Sequence, residues 1–294
     1  MKYTCICIFV LLAVLALPVS AAETCGCDIS SDTRAEYDAA LIETDAADVS
    51  PLHAPWGTPV GKFSGTRIVE LAQAHWLTGY DVKRRLPLWV AYRLTSHDVA
   101  KKRKRTQCFR PDPRVAINDG GTVCASYKGD GMDRGHMVPS ADMTRSERAM
   151  VNSYIFTNIA HQYPGFNRTL WRDLEIRVRT MARISGEIYV VTGAIFDRDD
   201  DGRPDRTGLA AYPIKSGNPK SAVATHFYKV VFVAGEGSDP PKITAWLFRH
   251  KNVRTSGQVS AAIIDKARVP LSVIEKLSGL DIAPALNIVS TARH

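Results

Sequence analysis

The distribution of strand-like segments limits this chain more than any other feature. Leu86 to Leu94, Glu187 to Thr192, His226 to Ala234 and Lys242 to His250 are rich in Val, Ile, Tyr, Phe and Trp and have the length of buried strands. Helical spacing falls elsewhere: around Thr33 to Ile42, from Asn167 to Arg183, and from Ser272 to Leu277 after Pro270. Thr144-Arg145-Ser146-Glu147 has the spacing of a capping box that starts a further helix running to about Tyr154. Strands and helices are mixed without strict βα alternation, which predicts an α+β fold over a doubly wound parallel sheet.

The chain opens on Met1-Lys2, an apolar run from Ile6 to Leu17, and Ser20-Ala21-Ala22, the pattern of a secretory leader cleaved near Ala21 or Ala22. The run is short for a membrane span, so no stable membrane association is expected. Residues 1–21 read as a signal peptide, 22–60 as an acidic, poorly structured lead-in apart from the helical stretch, and 61–294 as one catalytic-size domain. The destination is the periplasm or the medium. Cys5 and Cys7 leave with the leader, which makes disulfides the default for Cys25, Cys27, Cys108 and Cys124. Cys108 and Cys124 flank a loop rich in Pro, Asp and Gly and are the first pairing to expect, while a zinc site would want paired spacing that these residues lack. The formal net charge is +8, of which the leader contributes only Lys2. That excess suits a polyanionic partner, although a polysaccharide or lipid headgroup would satisfy it as well as a nucleic acid.

The densest chemistry lies in Met132-Asp133-Arg134-Gly135-His136-Met137-Val138-Pro139. It is followed by Thr157-Asn158-Ile159-Ala160-His161-Gln162 and by Phe166-Asn167-Arg168-Thr169-Leu170-Trp171-Arg172-Asp173-Leu174-Glu175. In order and spacing these segments resemble the DNA/RNA non-specific endonuclease family, which includes secreted bacterial nucleases and mitochondrial endonuclease G. Looser likeness extends through Trp89 to Leu94, Thr192-Gly193, Phe227-Tyr228-Lys229-Val230-Val231 and Val273 to Leu280. The chain departs from the family at His161, where Pro is common; a satisfied structural histidine is expected there.

The resemblance implies a ββα-metal nuclease fold, with a mixed antiparallel sheet core and flanking helices, in which a strand pair delivers an imidazole and the following helix a metal ligand. It implies His136 as general base and Asn167 as the ligand of a hydrated Mg²⁺, with Mn²⁺ a possible substitute. Arg134 is placed to offer a planar fork to phosphate, unless it pairs with Asp133, which reads as a scaffold for the turn. Asn158 is expected to orient the site, and Arg105 matches a further phosphate-binding arginine of the family, although the basic run Lys101-Lys102-Arg103-Lys104-Arg105 equally reads as a solvated loop. On a helix Asn167, Trp171 and Glu175 share a face, with Glu175 about 12 Å along the axis, so a water-mediated role suits it better than ligation beside Asn167. A neutral imidazole as base predicts activity that rises through its titration toward mildly alkaline pH.

A second ion site is suggested by Asp197, Asp199, Asp201 and Asp205, with Gly202 at the sixth position of a calcium-loop opening whose closing Glu is replaced by Gly208. It reads as a structural Ca²⁺ site or a polar turn. The expected activity is hydrolysis of DNA and RNA phosphodiesters, with a homodimer open. The alternatives are a non-catalytic secreted nucleic-acid or polyanion-binding protein and a phosphodiesterase for small substrates.

Overall fold

A computed structural model of the chain describes residues 24–61, 67–100, 103–205, 220–237 and 239–286. The leader at 1–21 and two members of the basic run, Lys101 and Lys102, lie outside them. Ten strands are described: β1 (Val60–Gly61), β2 (Ile68–Gln73), β3 (Trp76–Asp81), β4 (Leu86–Thr95), β5 (Asp133–His136), β6 (Ile159–Gln162), β7 (Glu187–Ile195), β8 (His226–Val233), β9 (Lys242–Arg249) and β10 (Leu280–Asp281). The α-helices are α1 (Ser31–Ile42), α2 (Ala46–His53), α3 (Ser96–Ala100), α4 (Glu147–Asn152), α5 (Arg172–Ser185), α6 (Gly257–Lys266) and α7 (Leu271–Ser278). The α+β expectation holds.

The core is a six-stranded sheet in the order β2-β3-β4-β7-β8-β9, antiparallel throughout. Its middle explains the long apolar run that marks β4: Leu88, Trp89, Val90, Ala91, Tyr92 and Leu94 are all buried, as a strand covered on both faces requires. Gly79 on β3 is demanded by packing, since a Cβ there would stand 2.2 Å from the Trp89 indole. Two short ladders complete the strands, β1 with β10 and β5 with β6. The second carries the chemistry. It sits against β4, while α5 packs on β4 and β7.

Several local expectations are corrected. Segment 22–60 is structured where described: α1 is capped by Ser30, whose side chain accepts from the Thr33 N–H, and α2 by Asp45. Leu41, Val49 and His53 are buried, and Asp38 on α1 pairs with the buried Arg110 at 2.8 Å. The disulfides are Cys25–Cys124 and Cys27–Cys108, not Cys108–Cys124. The reason is backbone pairing: Cys25 N–H donates to the Phe109 carbonyl at 2.9 Å and Asp28 N–H to that of Gln107 at 2.8 Å, which sets Cys27 opposite Cys108 and leaves Cys25 and Cys124 to each other. Helix α4 starts two residues later than the capping box suggests; Ser146 is its cap, accepting from Ala149 N–H at 3.1 Å, while the Thr144 hydroxyl donates to the Asp98 carbonyl.

The expected helix from Asn167 to Arg183 is two pieces, a π-helical turn over Phe166–Trp171 and then α5. This changes the geometry of the site. Eight residues of α-helix overshoot two turns by about 80°. A turn closed by i→i+5 bonds takes more residues per turn and reduces that overshoot, bringing Glu175 closer to the face that carries Asn167.

Candidate active site

Two antiparallel strands set the first half of the site. In the register Arg134 faces His161 and His136 faces Ile159, so Arg134 and His136 lie two apart on one side of β5. Gly135 between them is fixed by contact: a Cβ would stand 2.2 Å from the Gln162 amide. Beyond His136 the backbone is gripped by Asn158, fully buried, whose Oδ1 accepts from Val138 N–H at 2.9 Å. Its Nδ2 donates to the carbonyls of Val138 at 3.0 Å and Ser153 at 2.7 Å. Asn158 thus holds the strand that carries the imidazole and does not reach the reacting region itself.

His136 is framed by Tyr154, perpendicular at 4.6 Å between ring centroids, and by Phe109 at 5.8 Å. Its Nε2 is enclosed with no hydrogen-bond partner, while the residue as a whole keeps partial exposure, which leaves Nδ1 as the nitrogen toward solvent. Burial, then the nearby Arg105 and Arg134 guanidinium groups, push its pKa down to about 3. The imidazole is therefore neutral across the physiological range. In the free protein the imidazole does not titrate in its ordinary range.

Arg134 does not pair with Asp133. Its guanidinium lies 3.9 Å over the Phe109 ring and donates to the Cys25 carbonyl at 3.4 Å. Arg105 is exposed, donates to the Tyr154 hydroxyl and lies over the same ring at 5.4 Å. The two disulfides flank this pair of arginines, since Cys25 is bonded by Arg134 and Cys108 precedes Phe109.

Asp133 serves the opposite side of the ladder and is no turn scaffold. It accepts from Arg168 at 2.5 and 2.8 Å and from Asn167 Nδ2 at 2.9 Å. Against the effect of burial, these bonds hold the Asp133 carboxyl below its ordinary range. With its NH₂ committed to Asp133, Asn167 has its carbonyl oxygen left to offer an ion. A neutral oxygen of this kind, on a partly exposed residue beside a carboxylate, fits a hard divalent cation that keeps most of its hydration shell.

Glu175 is partly exposed and faces a charge cluster that spacing alone does not reveal. Burial raises its pKa to about 7, opposed by Lys229 and reinforced by Asp142. Lys229 on β8 is 0% exposed; its Nζ donates to Thr192 Oγ1 at 2.5 Å and lies 4.9 Å from the Trp171 ring. Asp142 is buried and takes Arg179 and the Tyr92 hydroxyl, each at 2.8 Å. Lys229, Tyr154 and the amide-orienting role of Asp133 were missed from sequence. A signal for Lys229 was present, a cation inside the otherwise apolar Phe227-Tyr228-Lys229-Val230-Val231.

His161 lies in the interior on β6, with its Nδ1 enclosed and without a hydrogen-bond partner. It is buried, stacks near Tyr127 at 4.8 Å and sets its Nε2 2.7 Å from Asp130, whose carboxyl is held down to about 2 by that contact. In the acidic loop, oxygens of Asp197, Asp199 and Asp201 lie within 4.8 Å of one another. Asp205 does not join them: it accepts from Arg198 N–H at 3.2 Å. Among the described residues this is the one grouping of three or more His, Cys, Asp or Glu with such spacing.

A family model described as DNA/RNA non-specific endonuclease matches residues 62–287. Human mitochondrial endonuclease G is 32% identical over 217 residues, covering 72% of this chain and 68% of the relative. Its bovine counterpart is 30% identical over 247 residues, 81% of this chain and 78% of the relative. Nuclease C1 of the fungus Cunninghamella echinulata is 29% identical over 231 residues, 76% and 86%. In the crystal structure of a complex of EndoG with EndoGI, the EndoG-type chain superposes with a TM-score of 0.66 at 25% identity, covering 82% of this chain and 94% of that one.

Proposed function

The chain belongs to the DNA/RNA non-specific endonuclease family and has its ββα-metal fold, and from that premise we propose that it is an exported endonuclease hydrolysing DNA and RNA phosphodiesters with Mg²⁺. The observation that carries the reading is the convergence on one ladder of an uncharged His136, two arginines beside it, and an Asn167 amide turned by Asp133. The relatives named mitochondrial are similar in sequence, and their destination is not carried over to this chain. The paired cysteines fit an oxidising compartment, and no helix among the described residues is long and apolar enough to cross a membrane.

In this reading His136 takes a proton from the attacking water at Nδ1. Arg105 and Arg134 bind the phosphate; burial is the main cause of the depressed imidazole, and neutralisation of the two arginines relieves the smaller part that their repulsion adds, which makes His136 a better base when substrate arrives. Asn167 would hold the cation, with Glu175 ordering its water and Asp133 fixing the amide. Bound there, a divalent ion would supply charge stabilisation for the phosphate and the leaving oxygen. Asn158 keeps the base in place through the backbone.

The test is cleavage of supercoiled plasmid and total RNA by the mature, disulfide-bonded protein, with Mg²⁺ or with EDTA. Both substrates should be lost only with metal. Binding without cleavage under any divalent ion would favour the polyanion-binding alternative, and turnover confined to a chromogenic phosphodiester would favour the small-substrate one.

The acidic loop is proposed as a separate, structural Ca²⁺ site built on Asp197, Asp199 and Asp201. Adding Ca²⁺ to chelated protein should raise the melting temperature, and Asp199→Asn should remove the response while leaving Mg²⁺ activation unchanged. Calorimetric melts in both ions check this; an identical melt with and without Ca²⁺ rules the site out.

A further inference from the structure

A helix start leaves backbone N–H groups without partners, and where they go determines how firmly that turn is held. The turn that carries Asn167 begins after β6, and its amides are taken up by a segment 87 residues downstream. Tyr163 N–H donates to His250 Nε2 at 2.8 Å, and Gly165 N–H donates to Asn252 Oδ1 at 2.9 Å. Thr255 N–H donates to Thr169 Oγ1 at 3.1 Å, and that hydroxyl donates to the Gly165 carbonyl at 2.5 Å.

The ties reach the ligand directly, because the Tyr163 carbonyl accepts from the Asn167 N–H at 2.9 Å. His250 is itself fixed. Its Nδ1 donates to the Ala224 carbonyl at 3.0 Å, which leaves Nε2 as the acceptor, and its ring is enclosed by Tyr163, Phe166 and Phe227 at 4.6, 5.4 and 5.0 Å. Its own N–H donates to the Thr225 carbonyl, so the anchor is the end of the main sheet. Contact at Gly165 is close: a Cβ would lie 2.7 Å from Asn252 Oδ1, displacing that amide, and 3.0 Å from the Val253 backbone.

We propose that residues 250–255 are the brace of the cation site: through three hydrogen bonds they hold the π-helical turn at the pitch that presents Asn167, and so set the affinity for the divalent ion. The inference rests on the reading of Asn167 as the ligand. His250 and Asn252 are positioning residues that never touch substrate or metal. Groups of this kind change metal affinity by about 10–100-fold when lost.

Asn252 is exposed, so its replacement leaves the core untouched. In the full disulfide-bonded protein, with Mn²⁺ followed by the resonance signal of the free ion, Asn252→Ala should raise the Mn²⁺ dissociation constant about tenfold. Asn252→Asp, which keeps an acceptor oxygen facing Gly165, should restore most of it. Thr169→Val, which cuts the third tie together with the hydroxyl's bond to the Gly165 carbonyl, should weaken binding in the same direction. Wild-type affinity in both Asn252→Ala and Thr169→Val, or Asn252→Asp as weak as Asn252→Ala, overturns the brace. A wild-type protein that cleaves DNA yet takes up no Mn²⁺ removes the reading of Asn167 instead, and the brace with it.

Discussion

Replacing His136 with alanine should lower kcat by about 10²–10⁴-fold, the usual contribution of a positioned general base, and leave the protein folded. The second half of that expectation comes from the same geometry as the first. The enclosed Nε2 has no hydrogen-bond partner, so truncation orphans no buried donor or acceptor. What is lost is packing against Tyr154 and Phe109, and the surrounding β5–β6 ladder does not depend on the ring. Asn158→Ala makes the contrast: it would leave the Val138 N–H and carbonyls unpaired in the interior and act through stability. Plasmid cleavage rates and thermal melts of the two variants, side by side, separate chemistry from scaffold. His136→Ala turnover within about tenfold of wild type would sink the assignment of the base.

The parts of this site legible in sequence are those whose chemistry is local. Asp133-Arg134-Gly135-His136 and the Asn167 to Glu175 spacing name the residues, and the apolar run at β4 names the centre of the sheet. What did not show was long-range pairing. β2 and β3 are short and polar-interrupted, Ile68–Gln73 and Trp76–Asp81, and are recognisable as a hairpin only once β4 lies beside them. The Cys27–Cys108 pairing follows from the strand-like contact of residues 25–28 with 107–109, which no local loop composition encodes. Asp133 pairs with Arg168, 35 residues away in the chain, in preference to its neighbour Arg134, because Arg134 and Asp133 leave β5 on opposite sides. The π turn is a case of the same kind: its sequence is helical in every respect, and the extra residue per turn is imposed by residues 250–255.

Lys229→Met should cost about 3–5 kcal/mol, or about 6–20 °C in melting temperature, and should move the pH dependence of cleavage. Lys229 is fully enclosed, and methionine keeps the apolar length of the side chain, so the change removes the charge with little change in volume. The cation opposes the burial that raises Glu175 to about 7. Without it, Glu175 titrates at still higher pH. The sign follows: a carboxyl whose folded pKa is raised loses stability as pH climbs from the ordinary carboxylate range up to the folded pKa, and a pKa raised further extends that loss to higher pH, so the electrostatic part of the Lys229→Met cost should be small near pH 5 and grow above neutrality. Wild-type activity should rise as Glu175 ionises in the range to which burial raises its carboxyl, whereas burial and the two arginines hold the His136 imidazole well below that range in the free protein. In Lys229→Met the rise should shift upward; in Glu175→Gln it should vanish. The decisive comparison is the stability loss in the Glu175→Gln background, where no anion remains to be orphaned. If Lys229→Met is as costly there as in wild type, Lys229 is only packing on Trp171 and Thr192, and the control of Glu175 must lie with Asp142 and Arg179.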